Sequence, residues 1–159
     1  MERPDTIYFF LSSRGGTIDS AITLYNFLQS LPVEIVMHNN GSVDSSANII
    51  FLAGARRYAF PQSSFLFHGS TWHFPSGNVD GIDVTRSQLS EALSQLTNGE
   101  ELMRKIIVER TKLTLEVVNG LFLEGAKRNS EFALSNGVVH EIKDLRLPAT
   151  TSIYTIPDR

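Results

Sequence analysis

Three short apolar runs, Ile7 to Leu11, Val33 to Met37 and Phe65 to His68, constrain this chain more than any other feature. Each is continuous rather than alternating, the pattern of a strand buried on both faces of a parallel sheet. Between the first two runs, Ile18, Ala21, Ile22, Tyr25 and Leu28 fall on one face of a helix predicted from Thr17 to Gln29. Between the second and third, a polar loop from His38 to Asp44 leads into a short apolar helix, Ser46 to Ala53. Arg57 to Phe60 and a turn at Pro61 follow. Strand–helix–strand–helix–strand with short links predicts an α/β fold of repeated β-α-β units. The sheet should be mainly parallel, with right-handed crossovers and its reactive groups at the carboxyl ends of the strands.

Gly69 to Thr85 reads as a long loop. Thr85-Arg86-Ser87-Gln88 matches a capping box that opens a long helix to about Thr111, with a weak point at Asn98-Gly99. A helix from Thr114 to Leu123, another capped by Ser130 and ended by Gly137, and a last strand from Val138 to Ile142 complete the pattern. Residues 1–144 therefore read as one domain and 145–159 as a tail. The 42% hydrophobic content is enough for a core, and a net charge of -3 gives no basic field for nucleic acid. The chain has no cysteine, the N-terminus lacks the pattern of a signal peptide, and no apolar run has membrane length. A cytoplasmic protein without membrane or nucleic-acid partners is expected.

Three places carry chemistry. Ser45 lies where a strand turns into a short helix, so backbone N–H groups and the helix dipole converge on its hydroxyl. By local pattern alone, a helix cap is the commoner role. His68 ends an apolar strand one β-unit later, the place from which a general base reaches such a serine; a backbone-bonded histidine fits as well. Arg14-Gly15-Gly16 between the first strand and its helix suits either an anion-binding nest or a tight turn. His38, His73 and His140 lack metal-ligand spacing and read as structural or surface residues, and no cofactor or metal is implied.

Taken together, these segments resemble the Clp protease proteolytic subunit family, the ClpP-like branch of the crotonase-type fold. The run from Ile7 to Gly16 is similar to that family's strand followed by Asn-Ser-Pro-Gly-Gly. Gly41 to Gly54 is similar to its nucleophile segment, Arg57 to His68 to its Arg-Phe-x-x-Pro-Asn-Ser block ending in His, and Ala133 to Ile142 to a late Gly-Leu-Val-Asp segment. The resemblance implies a serine endopeptidase acting on peptides or unfolded proteins. Ser45 would be the nucleophile, His68 the base, and the backbone N–H groups of Gly16 and Ser46 the oxyanion donors.

It also implies a homo-oligomer of stacked rings joined through the long helix from Arg86 to Thr111, a handle, and an ATP-driven unfoldase as partner. The family's acid aligns with Gly125, leaving adjacent Glu124 as the candidate third member. Asp44 places a negative charge beside the nucleophile, and Met1 aligns near the family's second strand, so its N-terminal axial segment is expected to be absent. Two other readings stand beside the peptidase. One is a weak or inactive subunit with a structural or regulatory role in a mixed complex. The other is a crotonase-type acyl-CoA enzyme.

Overall fold

The computed structural model describes residues 4–71, 84–147 and 151–156. His73 and most of the loop after Gly69 lie outside the described residues. The elements run β1 (Thr6–Ser13), α1 (Ile18–Ser30), β2 (Glu34–Asp44), α2 (Ala47–Leu52), β3 (Arg56–Ala59) and β4 (Ser64–Leu66). Then come α3 (Arg86–Arg110), α4 (Leu115–Glu124), β5 (Lys127–Asn129), α5 (Ser130–Ser135) and β6 (Glu141–Ile142). The α/β expectation, with a mainly parallel sheet and a long handle helix, holds.

β2 is the centre of the sheet. Along one edge it pairs with β1 from Thr6↔Glu34 to Ser13↔Val43. Along the other it pairs first with β3 (Met37↔Arg57) and then with β4 (Val43↔Phe65), all parallel. β6 joins β3 in parallel, and β5 joins β4 antiparallel. The core gathers between sheet and helices around Met37, Val43, Ile49, Phe51, Phe65 and Ile107, all essentially inaccessible, with Phe51 and Phe65 edge to face at 5.3 Å.

Several boundaries differ from expectation. The polar stretch His38 to Asp44 is not a loop but the second half of β2. Its backbone pairs with β1 and β3 at His38 and Asn39 and with β4 from Ser42 to Asp44, and side chains bridge the stretch between: Asn39 Nδ2 donates to the Ser64 carbonyl at 2.8 Å and Asn39 Oδ1 accepts from Gly41 N–H at 2.9 Å. β5 escaped prediction because Lys-Arg-Asn carries no apolar signal. α5 is capped by Asn129, whose Oδ1 accepts from Phe132 N–H at 2.9 Å, while Ser130 Oγ donates to the Pro61 carbonyl instead. The last strand shrinks to Glu141–Ile142. The Asn98-Gly99 weak point does not break α3: Gly99 is buried against α1, where a Cβ would lie 2.9 Å from Ile18 Cδ1. The Thr85/Gln88 capping box forms as expected, and Thr114 caps α4 by accepting from Val117 N–H. Among the described residues, no helix is long and apolar enough to cross a membrane.

Arg57, 4% exposed, ties these layers together. Its guanidinium donates to the carbonyls of Gly54, Arg110, Gly137 and Val138, at or just past the ends of α2, α3 and α5. Helix C-termini present unpaired carbonyls and the negative end of the dipole, which a planar five-donor cation satisfies. Burial, and secondarily the charge of Arg110, lower its pKa to about 10.

Candidate active site

Ser45 links β2 to α2 with φ of 57°, the one non-glycine positive φ among the described residues. A β-carbon disfavours this conformation by about 1–2 kcal/mol, so the surroundings must hold it. They do so through the end of β4. Ser45 N–H donates to the Leu66 carbonyl at 2.8 Å, and the Ser45 carbonyl accepts from Asn48 N–H and from Asn48 Nδ2. Asn48 Nδ2 also donates to the Leu66 carbonyl at 2.9 Å. Asn48 is buried, and sequence reasoning passed over it. The available signal was a lone amide in the otherwise apolar helix Ala47–Leu52.

The Arg14-Gly15-Gly16 turn packs directly on this serine. Gly15 has φ of +93°, and a Cβ there would fall 2.8 Å from both the Asp44 carbonyl and Ser45 Cβ. Only glycine permits that approach. The two expected oxyanion donors are brought close, but they are not alike. Ser46 N–H has no acceptor among the described residues. Gly16 N–H donates to Ser46 Oγ at 2.8 Å, and that hydroxyl donates back to the Gly16 carbonyl at 3.0 Å.

Asp44 pairs with Leu66 in register, so Ser45 and His68 leave neighbouring parallel strands at the same carboxyl end. His68 Nδ1 lies 2.6 Å from the Gly69 carbonyl. A carbonyl only accepts, so Nδ1 is the donor, and in the neutral ring this leaves the lone pair on Nε2, the tautomer a general base requires. Among the described residues, neither Ser45 Oγ nor His68 Nε2 makes a hydrogen bond. Gly125, left-handed at the C-terminus of α4, backs onto this histidine: a Cβ there would meet His68 Cβ at 3.9 Å. The neighbouring carboxylate of Glu124 accepts from Arg128 one turn along and makes no bond to His68 among the described residues.

Asp44 is 8% exposed, and its charge is compensated. Ser42 Oγ donates to Oδ1 at 2.6 Å, and Lys127 Nζ lies 2.7 Å from Ser42 Oγ and 3.4 Å from Asp44 Oδ2. The carboxylate therefore points along the sheet row toward β5, so its charge is partly neutralised before it acts on the nucleophile.

The other described histidines are structural. His38 is fully buried among Phe10, Tyr58 and Phe60, with Nε2 3.2 Å from the Lys143 carbonyl. His140 Nδ1 accepts from Arg57 N–H at 3.2 Å. Burial lowers both pKa values from 6.5; the Lys143 carbonyl bond opposes it at His38, and the charges of Arg57 and Arg110 add to it at His140. Their unfolded forms bind protons more readily than their folded forms. The associated stability is thus complete above about pH 6.5 and declines as pH falls from there toward the folded values. Melting temperature should drop between about pH 7.5 and about pH 5.5, and His38→Phe should reduce the drop. A melting temperature equal at both pH values would count against this assignment.

With the geometry in place, comparison with known proteins is direct. The Clp protease family matches residues 1–146. The ATP-dependent Clp protease proteolytic subunit 2 of Pseudomonas aeruginosa is 27% identical over 150 residues, covering 91% of this chain and 71% of that protein. The proteolytic subunit 1 of Leifsonia xyli subsp. xyli is 26% identical over 143 residues, covering 89% and 68%. Among solved structures, a ClpP1 point mutant from Listeria monocytogenes superposes with a TM-score of 0.72 at 19% identity, over 91% of this chain and 77% of that one. At that identity the superposition speaks for the fold.

Proposed function

Because the chain belongs to the Clp protease family, we propose that it is a serine endopeptidase in which Ser45 attacks the peptide carbonyl and His68 is its base. The observation that carries this reading is the forced left-handed Ser45 turn beside His68, whose tautomer leaves Nε2 unprotonated. His68 Nε2 takes the Ser45 proton as Oγ adds to the carbonyl, and the imidazolium returns it to the leaving amine. The oxyanion accepts from Ser46 N–H and from Gly16 N–H, the latter exchanging Ser46 Oγ for the stronger acceptor. Water then hydrolyses the acyl-enzyme. Glu124 is engaged with Arg128, so we assign the direct orienting contact on His68 to the Gly69 carbonyl.

The substrate is a peptide or unfolded protein, and the working form is a homo-oligomeric chamber of stacked rings. Support for assembly comes from α3, where Leu89 and Leu93 are 53% and 66% exposed beside the stripe of buried Ala92 and Met103, leaving apolar surface for a second copy. The relatives are subunits of ATP-dependent proteases, and an ATP-driven unfoldase is the partner this membership supports.

Active-site labelling with a fluorophosphonate tests the proposal. Wild type should be labelled and Ser45→Ala should not. Glycine at the acid position favours a second reading, a non-catalytic subunit that co-assembles with an active one. A folded, oligomeric wild type that resists the probe would select it.

A further inference from the structure

The peptide group between Gly69 and Ser70 is gripped from both sides. Its carbonyl accepts from His68 Nδ1 at 2.6 Å. Its N–H, on the opposite side of the trans peptide, donates to Glu100 Oε1 at 2.7 Å. Glu100 projects from the handle helix α3, thirty residues away, and is steadied there by Arg104, whose Nη2 lies 2.6 Å from Oε2 and whose guanidinium sits 4.9 Å above the Phe122 ring. Gly69 N–H donates to the Phe122 carbonyl at 3.1 Å, so the whole segment is fixed against α3 and α4. The approach depends on glycine: a Cβ at position 69 would lie 2.9 Å from Glu100 Oε1.

A carboxylate bonded to an amide N–H polarises the carbonyl at its other end, which strengthens that carbonyl as an acceptor. We propose that Glu100 is a positioning residue for His68: acting through the Gly69–Ser70 peptide, it supplies the orienting charge that Gly125, beside the ring, cannot. The assignment rests on the Ser45–His68 reading for its catalytic meaning, but the hydrogen-bond relay itself is testable without activity.

The direct test is the tautomer of His68, followed by 15N-histidine NMR on the full chain and assigned with His68→Gln. Wild type should hold the Nδ1–H form. Glu100→Ala should shift population toward the Nε2–H form, with Glu100→Gln intermediate, because the amide still accepts but carries no charge. An unchanged tautomer in Glu100→Ala overturns the proposal.

The second measurement is the labelling rate. Glu100→Ala should slow it by about 10- to 100-fold, less than the roughly 10⁴-fold loss when an acid in direct contact with histidine is neutralised. Gly125→Asp should restore the rate of Glu100→Ala to within a few fold of wild type. The +59° φ at this site strains any side chain, aspartate and asparagine least, and the aspartate Cβ would make an ordinary 3.9 Å contact with His68 Cβ. A double variant that melts like wild type yet stays slow would mean that Glu100 merely anchors the loop, and the proposal would fail. A wild type with no labelling, but with a Glu100-dependent tautomer, would refute the acyl-enzyme reading and uphold the relay.

Discussion

His68→Ala should slow fluorophosphonate labelling of Ser45 by about 10²- to 10⁴-fold, the range a positioned general base contributes. Residual reaction should persist, because the Ser45 turn and the Ser46 N–H do not depend on the imidazole. The fold should survive: among the described residues the His68 ring bonds only to the adjacent Gly69 carbonyl, and the strand before it is held by Phe65 and Phe67, both buried. Circular dichroism and a melting curve on the same sample separate loss of chemistry from loss of structure. A labelling rate equal to wild type would mean that another group activates Ser45. Glu124→Ala, measured beside it, should leave the rate near wild type, since that carboxylate is half-exposed and engaged with Arg128.

Arg57→Met should cost about 3–5 kcal/mol of stability. Methionine fills much of the volume but leaves the buried Val138 carbonyl and the half-buried carbonyls of Gly137 and Arg110 without their donor. The Gly54 carbonyl keeps a bond from Arg110, which moderates the cost. Arg57→Lys should fall between, because one ammonium cannot serve acceptors at the ends of three helices at once. For a chain of this length the expected drop in melting temperature is about 10 °C or more. Both proteins should be measured at one concentration, since assembly itself adds stability. A drop of only a degree or two would show that the carbonyls find water or other donors, and that Arg57 is not the tie between these layers.

Much of the fold was legible in sequence because its signals are local. Continuous apolar runs mark β1, the first half of β2 and β4, and the helical period marks α1. The Thr85/Gln88 box opens α3 where the sequence places it. Prediction failed where backbone satisfaction comes from a distant segment. The polar half of β2 is a strand because β1, β3 and β4, all from other parts of the chain, lie beside it. β5 exists only because Leu66 offers an edge to Lys127. Ser45 and His68 stood out only through the resemblance to the Clp protease family, since local pattern alone favours a helix cap and a backbone-bonded histidine. Asn48, which holds the Ser45 turn, was not, because a buried amide has the same local appearance as a surface one.

By itself, then, the sequence determined the order of β-α-β units and the glycines that allow tight turns. It also determined that a serine and a histidine end neighbouring strands. These follow from hydrophobic period and backbone sterics, which act over a few residues. Only the tertiary structure decided how those groups are poised. It joined Ser46 to Gly16, Lys127 to Asp44, and Glu100 to the peptide beside His68, across 30, 83 and 30 residues. Hydrogen bonds and charges are short-ranged in space but blind to sequence distance, so their pairing appears only once the chain has folded.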